Sequence, residues 1–360
     1  MIAAHVPVQR PPDAKLLVLA ADGAIAHAPR SALPDFLRQG DLVVANDAAT
    51  LPASLRGVHV RTGAAIEVRL AGRRSLEPDA LRRCVAVVFG DGDFRTRTEN
   101  RPLPPPLAAG DRLALGALTA GVERLLGHPR LILLRFHGTI ADVWAGIARY
   151  GRPIQYAHVP SPLALWDVWT PIAGPPVAFE PPSAGFVLDW QTLGALRGRG
   201  VAFVTLTHAA GISSTGDEAL DARLPFDEPY FIPATTVRAI GCARARGARV
   251  VAVGTTVVRA LEHAASHGIG VRAGPGLATQ RIGAETLLRV VDAIVSGTHE
   301  PGSSHYDLLR AFADDAALRD ADAALDAHGY RTHEFGDSVL IERQARHRAG
   351  LPLPAHALAA

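Results

Sequence analysis

The stretch VVAVGTTVVRALE, from Val250 to Glu262, restricts the fold more than any other part of the chain. Val250, Val251 and Val253 make a short apolar run of the kind a buried strand shows. Gly254 ends it. Thr255 and Thr256 can cap a following helix with their hydroxyls, and Val257, Val258 and Leu261 give that helix an apolar face. A buried strand, a glycine turn and an immediate helix start form a cradle for an anion or polar ligand. The first helical amides lack backbone partners and sit at the positive end of the helix. Arg259 projects from about the first turn, with Glu262 and His263 three and four residues on, on the same face. The same pattern fits an ordinary strand–helix joint carrying a surface Arg–Glu pair, so the rest of the chain has to decide between them.

At 360 residues the chain is long enough for one large or two moderate domains. Lys15 is the only lysine, so an arginine-rich surface is weak grounds for a nucleic-acid partner. Cys84 and Cys242 stand far apart and belong to no CxxC pair, which points away from disulfides and zinc and toward a reducing cytoplasm. MIAAHVPVQRPP at the start has no long apolar core, and no run reaches the roughly 20 apolar residues of a membrane helix, so neither a signal peptide nor a membrane span is expected.

Taken in order, KLLVLA (15–20) reads as a strand, Asp22–Gly23 as a turn and Ile25 as the start of a second strand. Leu42 to Ala45 reads as a buried strand with Asn46 and Asp47 at its C-terminal end. That is a ligand position in an open α/β sheet, although Asn and Asp also favour a simple Asx turn there. From Gly57 to Tyr150 short strands closed by glycine (AAIEVRLAG, CVAVVFGDG, DRLALG, LILLRFHG) surround RPLPPPLAAG, which can be neither a helix nor a central strand. This punctuation predicts a small β-barrel or sandwich, closed by a helix carrying Ile140, Val143, Trp144 and Ile147. The segment holds 14 Arg against 9 Asp and Glu, a net +5, which leaves −3 for the remainder of a chain whose total is +2. A basic module on a slightly acidic body suits a phosphate-backbone contact, and a solvated, arginine-biased surface equally well.

The proline-rich 151–182 reads as the return linker, and Ser183–Ala184–Gly185 as a small-residue turn that backbone or ligand can approach closely. VAFVTLTHAAG (201–211) is a further buried strand with His208 at its end. LPFDEPYFIP, with Asp227, Glu228 and Tyr230, and RAGPGLATQRIG read as loops. THEPGSSHYDLLRAF runs from a loop with His299, Ser303, Ser304 and His305 into a helix. FGDSVLIER is a last strand. The expected organisation is an α/β body (1–56 plus 151–343), an inserted β-barrel (57–150) and a loose tail (344–360).

The string GTTVVRALE resembles the GTTSVRALE-type segment of the S-adenosylmethionine:tRNA ribosyltransferase-isomerases of queuosine biosynthesis. PDFLRQGDLVVANDA, the TG-x-x-x-EV strand, PPSAG, H-x-P-x-S-S at 299–304 followed by AF at 311–312, and FGDSVLI match that family in order, from about Leu16 to Ile341. The resemblance implies an α/β body with an inserted barrel. It also implies transfer and isomerisation of the ribosyl part of S-adenosylmethionine onto the aminomethyl group of a 7-deazaguanine in tRNA, giving epoxyqueuosine, adenine and methionine. No metal or further cofactor is implied. Ser183, Gly185, Thr255, Thr256 and Arg259 become the expected adenosylmethionine site, helped by His299, Asn46 and Asp47. Glu228 and His208 are the expected proton-transfer groups.

The chain also departs from the family. PTAGLHF becomes PSAGFVL, placing Val187 where the family has histidine. LHVGxGTF becomes LTHAAGIS, with Thr207 at the histidine position and His208 one residue on. A His-Ser-Glu segment becomes Phe226–Asp227–Glu228, and TNFHLPKST becomes SGTHEPGSS. Such changes leave two alternatives in view: the same cofactor chemistry on a small-molecule acceptor, or a non-catalytic protein that binds tRNA or S-adenosylmethionine.

Overall fold

The computed structural model describes residues 1–344 except 267 and 269; the tail expected over 344–360 therefore lies, from 345 on, outside the described residues. The body is built on a nine-stranded sheet. Its strands run, edge to edge, Gly274–Ala278, Glu228–Ile232, Ala202–His208, Leu42–Asn46, Val250–Val253, Ala293–Gly297, Ser338–Glu342, Lys15–Leu19 and Ile25–Pro29. The four from Ala202–His208 to Ala293–Gly297 are mutually parallel. Leu42–Ala45 and Val250–Val253, the two middle strands of the four, are apolar without alternation because both faces are covered. Leu42, Val44, Val250 and Ala252 pack on one face with Val257, Val258 and Leu261. Val43, Ala45, Val251 and Val253 pack on the other with Leu33, Leu37, Leu196 and Val187.

Two strands fall where loops were expected. Glu228–Ile232 and Gly274–Ala278 extend the sheet antiparallel at one edge. Pro275 is tolerated there because an edge strand leaves one side of its backbone unpaired. Gly276 is required for packing, since a Cβ would lie 2.3 Å from the ring of Tyr230.

The inserted module is a closed six-stranded barrel of Ser54–His59, Ala64–Gly72, Arg83–Phe89, Arg112–Leu115, Leu118–His128 and Leu131–Phe136. Ile66, Val68 and Leu70 point into its core. Glu67 and Arg69, on the opposite side of that strand, are also buried, joined to each other at 2.7 Å, with Arg101 on the second carboxylate oxygen. The helix Ile140–Tyr150 plugs the barrel with Val143 and Ile147, starting from a capping box between Thr139 and Asp142. Chain entry and exit are tied together by paired backbone hydrogen bonds of 2.9 Å between Ser54 and Arg152. Among the described residues no helix is long and apolar enough to cross a membrane.

Candidate functional site

The parallel strands end together, and their C-terminal ends carry the polar residues singled out in the sequence, the arrangement expected of ligand sites in open α/β sheets. A cleft opens there, at the crevice where open α/β sheets hold ligands. Ser183, Thr255, Thr256, Arg259, Glu228 and His299 line it.

The Val250–Val253 strand turns into the helix Thr255–Ala264 through Gly254, whose φ of 97° strains any side-chain-bearing residue. Gly254 itself is the residue before the helix, and neither threonine hydroxyl caps it, contrary to the sequence expectation. Thr255 and Thr256 are left half-buried at the positive helix end, facing the cleft. Opposite them lies the turn Ser183–Val187. Gly185 does not line the cleft. It lets this turn pack on Thr170, to which a Cβ would come within 3.0 Å. Val187, at the family's histidine position, is buried in the apolar layer under the sheet.

Asn46 and Asp47 stand at the strand ends but outside the cleft lining, their side chains already engaged. Asn46 donates to the His208 carbonyl (2.9 Å) and the Thr256 hydroxyl (3.3 Å), and accepts from the amides of His208 and Ala48. Asp47 accepts from the hydroxyls of Thr205 and Thr207. These two residues clamp neighbouring strand ends to the helix start.

Arg259 and Glu262 do not form a surface pair. Both are buried, and Glu262 accepts the backbone amides of Arg289, Val290 and Val291. Arg259 instead closes on the Oε2 of Glu228, while its other terminal nitrogen donates to the carbonyls of Phe226, Ala278 and Gln280. Glu228 Oε1 accepts the Gly211 amide at 2.6 Å. Burial pushes the Glu228 pKa up, and the Arg259 charge opposes that. His208 lies behind Glu228, fully buried, with Nε2 3.5 Å from Glu228 Oε2. Burial and the Arg259 charge push its pKa well down, so the imidazole is neutral.

His299 shares a 2.9 Å hydrogen bond with Ser296 and stacks on His305 at 4.8 Å. Burial lowers the pKa of both rings, with the other histidine charges adding to the effect at His299 and the Arg259 charge at His305. The cleft therefore offers neutral imidazoles, which donate and accept hydrogen bonds without adding cationic charge.

Sequence reasoning missed Glu180. It lines the cleft, accepts from the Tyr156 hydroxyl at 2.5 Å and the Ser213 amide at 3.1 Å, and is raised by burial to a pKa of about 7. The available signal was an acid three residues before Ser183 inside an otherwise apolar VAFEPP. Beyond Glu180, the ligand atoms of His158, His333 and Glu334 lie within 4.8 Å of one another, a set that could hold a metal ion. The two rings stack in parallel at 4.2 Å, however, which aims their in-plane lone pairs side by side instead of at one point, and His158 already pairs with Glu334 at 3.0 Å.

The profile of the family described as queuosine biosynthesis protein matches residues 1–341. The chain is 33% identical to the S-adenosylmethionine:tRNA ribosyltransferase-isomerase of Thiobacillus denitrificans, over 93% of each chain. It is 32% identical to the protein of the same name from Thermus thermophilus, over 91% of this chain and 92% of that one. The relative of that name from Anaeromyxobacter dehalogenans is 33% identical over 95% and 96%. Among solved structures, the S-adenosylmethionine tRNA ribosyltransferase of Thermotoga maritima superposes with a TM-score of 0.50 at 25% identity, covering 94% of this chain and 96% of that one.

Proposed function

This chain belongs to the queuosine biosynthesis protein family, and from that premise we propose that it acts as an S-adenosylmethionine:tRNA ribosyltransferase-isomerase. The reaction moves and rearranges the ribosyl group of S-adenosylmethionine onto 7-aminomethyl-7-deazaguanine in tRNA, giving epoxyqueuosine with loss of adenine and methionine. The observation that carries this reading is end-to-end similarity, over nine-tenths of both chains, to relatives that share one name. That shared name also favours tRNA over a small-molecule acceptor.

The cleft suits S-adenosylmethionine as a substrate. The helix start at Thr255 and Thr256 and the hydroxyl of Ser183 offer donors to a carboxylate or to ribose hydroxyls. His299 and Ser296 offer neutral hydrogen-bond partners. Asn46, Asp47 and Gly185 act indirectly, by holding the strand ends and the Ser183 turn in place. Bound S-adenosylmethionine supplies a sulfonium that acidifies neighbouring C–H bonds and makes methionine a leaving group. Two cleft carboxyls, Glu228 and Glu180, are assigned to proton transfer, with His208 acting through Glu228. Arg259 positions Glu228. The working compartment is the cytoplasm, where tRNA and S-adenosylmethionine are both at hand.

The test is incubation of the purified chain with S-adenosylmethionine and tRNA carrying the aminomethyl base, followed by mass spectrometry. Release of adenine and methionine that requires this tRNA supports the proposal. Release with unmodified tRNA, or none, overturns it.

A further inference from the structure

A second groove, of about 830 Å³, runs between the barrel and the body beside the cleft. Arg73, Arg74, Arg83 and Arg124 from the barrel and Arg223 and Arg281 from the body line it, against Asp227 as the acidic lining residue. A chain with a net charge of only +2 thus gathers six arginines around one concavity. Arg73 is buried and spent on the carbonyls of Ser75 and Glu77. Arg83 pairs with Glu123, and Arg223 donates to the Leu126 carbonyl. Arg74, Arg124 and Arg281 are exposed, and among the described residues none of them makes an ion pair. Three unneutralised guanidinium groups around a groove carry a standing cost in mutual repulsion that a polyanion removes.

The groove is continuous with the cleft. Pro225 lines both, and Phe226 and Asp227 of the groove lead directly to Glu228 of the cleft. A chain of phosphates lying along the arginines would bring an attached nucleotide to Glu228. The floor between them, Leu131, Leu133, Phe226 and Leu277, is apolar and suits sugar and base faces more than a folded acidic protein.

We propose that this interdomain groove holds the tRNA sugar–phosphate backbone, with Arg74, Arg124 and Arg281 as its phosphate contacts. The proposal rests on the reading of the chain as a tRNA-acting enzyme and assigns where that substrate lies. Both modules contribute, so neither is the tRNA-binding domain alone.

The test is fluorescence anisotropy of a labelled tRNA transcript over a range of salt concentrations. The wild type is compared with a groove triple variant (Arg74→Glu, Arg124→Glu, Arg281→Glu) and with a control of equal charge change on exposed arginines outside the groove (Arg238→Glu, Arg246→Glu, Arg319→Glu). The groove variant is expected to bind at least about tenfold more weakly than the control, with a log–log salt slope shallower by about 2. Its affinity for S-adenosylmethionine, read by calorimetry, is expected to be unchanged, which shows that it is folded. Equal tRNA affinity of groove and control variants, while the wild type still modifies tRNA, overturns the groove and leaves the enzyme reading standing. A wild type that binds no tRNA overturns both.

Discussion

Arg259, on the first helix after the glycine turn, closes on Glu228, the first residue of an antiparallel strand, and the two form a buried ion pair at the wall of the cleft. The pair is held from outside by the Gly211 amide on the carboxylate and by three backbone carbonyls on the guanidinium. It therefore ties the helix Thr255–Ala264, the strand Glu228–Ile232 and the loop after His208 into one unit.

Removing one partner leaves the other charge buried and uncompensated. Arg259→Ala is expected to cost about 3–5 kcal/mol, measured by urea unfolding, and to abolish turnover. Arg259→Lys keeps the charge but cannot span Glu228 and three carbonyls at once, so it should recover stability only in part. A loss under 1 kcal/mol for the alanine variant would show that the pair does not organise the site.

Glu180 is expected to set the pH dependence. In the proposed role of proton acceptor it must be ionised, so turnover should rise with pH through about 7. Glu180→Gln should remove that limb and lower turnover by about 10²–10⁴-fold. Stability moves the opposite way. The folded pKa of about 7 exceeds the unfolded value of 4.5, so the unfolded chain gives up this proton first. The stabilisation from the protonated carboxyl is complete below pH 4.5 and is lost as pH rises through 7, by about 3 kcal/mol in all. Unfolding curves of the glutamine variant should lack that slope.

Gly254→Ala is expected to strain the cradle. At φ 97° an added Cβ also meets the Ala184 Cβ at 3.4 Å, so a cost of about 1–3 kcal/mol is expected. Because that contact joins the helix start to the Ser183 turn, S-adenosylmethionine affinity should fall in calorimetry. Wild-type affinity would mean that the turn has room to adjust.

The two cysteines should react differently. Cys84 is fully buried and its thiol is pushed up to about 12, whereas Cys242 is exposed. Ellman's reagent should titrate one thiol in the native protein and both in denaturant, and Cys242→Ser should leave the native protein unreactive.

The local units of the fold were readable in the sequence. Val250 to Leu261 carries its strand, glycine and helix signals within a dozen residues, and Leu42–Asn46 and the plug helix at Ile140–Tyr150 read just as directly. Glu228–Ile232 and Gly274–Ala278 did not, because their strand character comes from pairing with each other and with Ala202–His208 instead of from their own glycine- and proline-bearing sequences. At the site, residue types were readable but partners were not. Asn46 and Asp47 belong to the strand ends as expected, yet their hydrogen bonds are spent on His208, Thr205 and Thr207. The Arg259–Glu228 pair joins residues 31 positions apart, which no helical spacing reveals. Glu180 went unseen because depth, not residue type, gives it its chemistry.

The most direct measurement is adenine and methionine release from S-adenosylmethionine, followed alongside the mass of the modified base in tRNA bearing 7-aminomethyl-7-deazaguanine. The account predicts that both products appear in equal amounts, only with that tRNA, together with a matching gain in base mass. Release that proceeds without the tRNA, or binding of both substrates with no release, would contradict it.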